Sequence, residues 1–159
     1  RYEEIKFAAT SGDEISFDRW IHGIRWKEKA GRLVPFTIIK DISNMRKEYD
    51  SFMELVFAYC GTYSLSKQLK PVDTIDSIKA GDVFVQGGFP GHAVTVMAVA
   101  KNNKGEKIFL LSQGYMPAQD IHILKNYSDA KLSPWYSVKE TYPLYTPEWK
   151  FGKGSLKRW

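Results

Sequence analysis

The clearest periodicity in the chain runs over residues 45–60, where apolar side chains fall at Tyr49, Phe52, Met53, Val56, Phe57 and Cys60. This i, i+3, i+4, i+7 spacing gathers them on one stripe of an amphipathic helix. Ser43 or Asn44 can cap its start, and Gly61 suits a left-handed end. Two shorter helices are predicted at residues 17–21, with Ser16 or Asp18 as cap, and at 63–69, stopped before Pro71. Strands are read from apolar, β-branched runs between turn residues, at 4–9, 34–39, 83–85, 93–100, 107–112 and 121–124. Residues 25–32, dense in charge, read as a loop. The runs 93–100 and 107–112 can pair antiparallel across the turn Asn102-Asn103-Lys104-Gly105. Helices early and strands later point to an α+β fold, with an antiparallel, partly barrel-like sheet packed against helices.

Composition narrows the class. A chain of 159 residues has room for one domain with a proper core, and a single domain over 1–159 is expected. Hydrophobic residues at 43% and charged residues at 26% exclude a disordered class. No apolar run approaches the roughly 20 residues of a membrane-spanning helix, and the opening RYEEIKF lacks the basic-then-apolar form of an export signal. The lone cysteine, Cys60, excludes an internal disulfide. Net charge is +5, with basic residues gathered in 19–32 and 150–159. Acidic residues are scattered among them and no nucleic-acid motif appears, so a solvated basic face is expected rather than a nucleic-acid partner. Zinc-ligand spacing, a phosphate loop and a dinucleotide fingerprint are all missing, so neither metal nor cofactor is expected.

Candidate chemistry centres on GDVFVQGGFPGHAVTVMAVA, residues 81–100. His92 sits at the mouth of an apolar strand, just after a loop rich in glycine that can wrap a ligand or a neighbouring strand. An imidazole base needs a partner that fixes its tautomer. If the turn centres near residues 103–104, the start of the 93–100 strand lies opposite 112–115, and the Gln113 amide can reach the ring. Asp82 and Asp120 are rival orienters, although Asp82 fits a Gly-Asp turn entering a strand. Cys60 is the obvious nucleophile type, but the helical spacing puts it on the buried stripe at a helix C-terminus, where the dipole disfavours a thiolate. His122, between two isoleucines, points to solvent by alternation, and His22 reads as a packed, hydrogen-bonded histidine. Ser112 lacks the glycine pattern of a nucleophile elbow. Phe89, Tyr115, Gln119 and Trp135 are the candidate substrate contacts around His92, suited to a glycan or peptide.

The segments GDVFVQGGFPGHAV, FLLSQGYMPAQ, LSPWYS and TPEWKF, with the closing LKRW and FAYCGTYSLSKQLKP, resemble the bacterial family called domain of unknown function 4846 over nearly the whole chain. The resemblance implies an exported or lipid-anchored envelope protein, located in the periplasm or outer envelope. It also implies that Arg1 is not the native start, and that a cysteine opening a helix precedes it. A Gly-Asp strand entry, a histidine at the next strand's mouth and then a polar side chain are similar to NlpC-type and other papain-like cell-wall hydrolases. That likeness implies a papain-like layout with His92 as base and Gln113 as orienter, the nucleophile lying outside these residues. The expected function is hydrolysis of a peptide or amide of the cell envelope; the alternative is a non-catalytic envelope domain that binds a glycan or peptide.

Overall fold

The computed structural model describes residues 2–39, 43–115, 117, 119–140 and 142–159. The chain divides into two compact units, Arg1–Gln68 and Leu69–Trp159. Together they make a mixed α+β structure of antiparallel sheets and three helices, and no sheet among the described residues closes on itself.

In the first unit, β1 (Lys6–Ala8) and β2 (Glu14–Ser16) form a hairpin that runs straight into α1 (Phe17–Ile21). Ser16 is the cap, its hydroxyl accepting from the Arg19 N–H at 3.3 Å. A second hairpin follows, β3 (Ile24–Lys29) with β4 (Arg32–Thr37). The expected loop at 25–32 is therefore mostly strand. Its charged residues Lys27, Glu28 and Lys29 lie on the exposed end, where charge costs a ladder nothing, while Arg25 and Trp26 are buried. The two-residue turn puts both Ala30 (φ 51) and Gly31 (φ 76) in the left-handed region, the geometry whose twist matches a hairpin. Ala-Gly is an unusual pair for that turn and gave no signal.

The long helix α2 (Met45–Tyr59) is capped by Asn44, which accepts from the Lys47 N–H at 3.1 Å. Its buried face is Glu48, Phe52 and Val56, while Tyr49 and Phe57 are exposed. The buried stripe is thus rotated from the expected one because a carboxylate occupies it. Glu48 accepts from the Trp20 indole and from Arg25, each at 2.8 Å, and the Arg25 guanidinium lies 3.8 Å over the Trp20 ring. Fully partnered, a polar group can occupy a core position. Around it Phe17, Trp20 and Phe52 pack ring against ring. Cys60 ends α2 in extended backbone (φ −106) and α3 (Thr62–Gln68) begins at once, so Gly61 takes no left-handed turn.

The second unit is built on a seven-stranded antiparallel sheet. Its strands are β5 (Lys70–Pro71), β6 (Val83–Gln86), β7 (His92–Lys101), β8 (Lys107–Gln113), β9 (His122–Ile123), β10 (Tyr136–Ser137) and, beyond a small separate hairpin of β11 (Leu144–Tyr145) and β12 (Lys150–Phe151), the late strand β13 (Leu156–Arg158). The order is β10-β8-β7-β6-β13-β5, with β9 also on β8. The expected pairing of the 93–100 and 107–112 runs is present. Phe84, Val94, Val96, Phe109, Leu111, Phe151 and Leu156 form its core.

The basic C-terminal stretch, expected as solvated surface, supplies β13. Arg158 forks onto Asp82 at 2.6 and 2.7 Å and donates to the Ser77 carbonyl at 2.9 Å. Asp82, 1% exposed, also takes the Lys79 N–H at 2.9 Å. With its carboxylate thus committed, Asp82 does not orient His92. Removing the cation strands a buried anion, so Arg158→Met should lower the urea unfolding midpoint. Urea denaturation checks this, and an unchanged midpoint would show that the pair contributes nothing.

Candidate functional site

Strand register brings the candidate residues together. β6 pairs with β7 through Gln86↔His92, and β7 with β8 through Thr95↔Ser112. One step further along the second ladder sets Gln113 opposite Val94, which makes His92 and Gln113 diagonal neighbours on one face of the sheet. The loop entering β7 turns tightly: at Gly88 (φ 156) a Cβ would stand 2.9 Å from the Pro90 carbonyl oxygen, so only glycine fits without movement.

His92 Nε2 lies 2.6 Å from Gln113 Oε1. The Gln113 amide nitrogen donates in turn to Glu148 Oε2 at 2.7 Å. This second contact determines the first. A carboxylate only accepts, so it draws the NH2 end of the amide and turns Oε1 towards the ring; the ring must then present Nε2–H. Flipping the amide would oppose oxygen to carboxylate. The remaining ring nitrogen, Nδ1, has no hydrogen-bond partner among the described residues. It also reaches solvent, because no buried side-chain nitrogen or oxygen among those residues is left unpaired.

Aromatic rings hold the imidazole from several sides. Phe151 stacks on it at 6.1 Å, Trp149 lies tilted at 5.4 Å, and Tyr115 meets it edge-on at 5.4 Å. Phe151 packs in turn on Phe84, tying the ring to the core. Beside it is an open cavity of about 400 Å³, lined by Pro90, Gly91, His92, Gly114, Tyr115 and Trp149. Its size suits a small-molecule or peptide group. Glu148 and Trp149 both come from the four-residue turn joining β11 to β12. The Thr146 N–H and hydroxyl both donate to the Trp149 carbonyl, at 2.8 and 3.0 Å, closing that turn.

The other candidates are dispersed. Phe89 is 81% exposed and, like Gln119 and Trp135, does not line the cavity. The Gln119 N–H donates to the Tyr115 carbonyl at 3.1 Å, and the Trp135 carbonyl accepts from Asn126 at 2.8 Å. Met116 and Ala118 of the YMPAQ bend lie outside the described residues. His22 has 71% of its side chain exposed, so it is not packed among aromatics. His122 is half-buried while Ile121 and Ile123 are exposed, the reverse of the alternation expected, because β9 is a two-residue edge piece anchored by the buried Leu124. Asp120 gives its backbone carbonyl to His122. Ser112 is buried at 3% exposure. No cluster of metal-ligating side chains occurs among the described residues.

Cys60 packs against the core of the first unit, and burial pushes its thiol up to about 11 from 9.0. This is the opposite of nucleophile activation. Because the folded value is the higher one, the associated stability is complete below pH 9.0 and fades as pH rises through about 11. At neutral pH, iodoacetamide should label the folded thiol about 100-fold more slowly than the urea-unfolded one; equal rates would contradict its burial.

The residue that sequence reasoning missed is Glu148. Its motif, TPEWKF, is visible, but only pairing of β11 with β12 carries this carboxylate to Gln113, 35 residues away. The arrangement predicts that neutral His92 is the Nε2–H tautomer and that Gln113→Leu mixes the tautomers. Long-range ¹⁵N–¹H spectra of the imidazole read this directly, and an Nδ1–H ring in the unsubstituted protein would contradict the network.

A family model described as domain of unknown function (4846) matches residues 1–158. No curated protein and no solved structure matches the chain.

Proposed function

The chain belongs to the family described as domain of unknown function (4846), and we propose that His92, Gln113 and Glu148 form the base side of an amide-hydrolysing centre with a papain-like layout. The substrate in this reading is a peptide or amide of the bacterial cell envelope, met in the periplasm or outer envelope. The observation that carries it is the polarised line from Glu148 through Gln113 to His92, which leaves Nδ1 open beside a cavity. A carboxylate and an amide are spent on holding one ring nitrogen protonated, and that is the preparation a general base requires.

In this mechanism Nδ1 takes the proton from an attacking thiol or hydroxyl as that group bonds to the amide carbon. The imidazolium, stabilised through Gln113 and Glu148, then returns the proton to the departing amine as the C–N bond breaks. Water repeats the cycle in reverse order to free the acyl group. Among the described residues the cavity lining holds no thiol and no serine or threonine, and in this reading the nucleophile is supplied from outside residues 1–159. Tyr115 and Trp149 would flank the scissile group and exclude water.

A second reading has one observation in its favour. The same lining, two large rings around an imidazole with no resident nucleophile, would also serve a module that binds a glycan or peptide without turning it over.

Assaying the native protein on muropeptide mixtures separates the two. The hydrolytic reading expects peptide release that falls by about 10²- to 10⁴-fold in His92→Ala. Gln113→Leu should cost less, and Glu148→Leu should track it, because both act through the ring. Undiminished release by His92→Ala would end the hydrolytic reading, and binding without release in the unsubstituted protein would favour the binding module.

A further inference from the structure

The second unit carries another groove, away from His92. One cavity of about 490 Å³ is walled by Tyr136, Tyr142 and Tyr145, with Asp129 and Leu132 opposite. A second, of about 310 Å³, shares Asp129, Leu132 and Ser137 with it and continues to Lys104, Lys131 and Lys139. The two thus adjoin along these shared residues as one candidate trough, aromatic at one end and lined at the other by three lysines and Glu106. Both volumes fall near or within the roughly 300–1,000 Å³ of ligand clefts.

The polar groups differ in what they have left to offer. The Asn126 side chain donates once to the Trp135 carbonyl and accepts from the Ser128 and Asp129 N–H groups. Asp129 receives the Lys131 and Leu132 N–H groups on Oδ1, which fixes the carboxylate and leaves Oδ2 open among the described residues. Lys139 is committed to Glu106 at 2.5 Å. Lys131 is exposed and makes no ion pair among the described residues, and Lys104 is exposed nearby. Tyr145 is 51% exposed, with Lys150 Nζ 5.5 Å from its ring centroid, which leaves the ring's other face for stacking.

We infer that this trough is a binding site for an acidic oligosaccharide. The apolar face of one sugar ring stacks on Tyr142 and Tyr145, its hydroxyls donate to Asp129, and a carboxylate on the neighbouring sugar meets Lys131 and Lys104. Flat rings beside a fixed carboxylate suit the alternating C–H face and hydroxyl rim of a pyranose. Exposed ammonium groups select the anion through attraction that salt weakens. This inference is independent of the hydrolytic reading, although Tyr145 lies on the hairpin whose turn carries Glu148 and Trp149.

Trigalacturonate, maltotriose and inorganic phosphate, each titrated into the protein and followed by ¹⁵N chemical shifts, test it. Trigalacturonate should shift resonances over 129–145 with a sub-millimolar Kd, weakening with added salt, and should outbind the other two by at least ~10-fold. Tyr145→Ala and Lys131→Ala, both surface changes, should each cost about 5- to 10-fold in Kd. His92→Ala should leave this binding unchanged, which separates its outcome from that of the muropeptide assay. The inference is overturned if trigalacturonate moves nothing in this segment at about 10 mM, if phosphate alone matches it, or if maltotriose binds as tightly.

Discussion

A single primary amide, held between an imidazole and a carboxylate, fixes the geometry of the candidate site. Gln113 is ambivalent by itself, able to turn either end towards His92. Glu148 removes the ambivalence, because an acceptor on one side forces the oxygen to the other. From that choice follow the tautomer and the free Nδ1. Gln113 can serve only because it is 4% exposed at the end of β8, where little water competes for its hydrogen bonds.

The small hairpin of β11 and β12 carries the remaining parts. Its turn presents Glu148 and Trp149, its second strand presents Phe151 to the imidazole, and Leu144 and Phe151 root it in the core. The seven-stranded sheet thus fixes His92 and Gln113, while a separate two-stranded hairpin completes them. In the first unit a comparable economy appears around Glu48, where one carboxylate joins α1, α2 and β3 through Trp20 and Arg25. Polar groups in both units hold elements that apolar packing alone would leave free to slide.

Much of the fold is legible in the chain because local rules suffice for it. The helices at 17–21 and 45–59, the caps at Ser16 and Asn44, and the β7–β8 pairing across 102–105 follow from spacing and turn chemistry. The encounter of His92 with Gln113 was legible for the same reason, since one hairpin register dictates it. What escaped depends on distant partners. Glu48 can join a buried face only because Arg25 and Trp20 surround it, charged β3 reads as a loop until β4 pairs with it, and Glu148 reaches the site only by meeting Gln113. Phe89, Gln119 and Trp135 suit a glycan or peptide by residue type, whereas the cavity selects by position across strands.

The place of β13 has a consequence for how the second unit is made. This strand lies inside the sheet, between β6 and β5, and its Arg158 neutralises a carboxylate 76 residues earlier. On a ribosome, β6 must therefore emerge with one edge bare and Asp82 without its counter-charge while the intervening residues are still being translated. The sheet cannot close cooperatively until Leu156–Arg158 clear the exit tunnel, so this unit matures only once its last strand has been made.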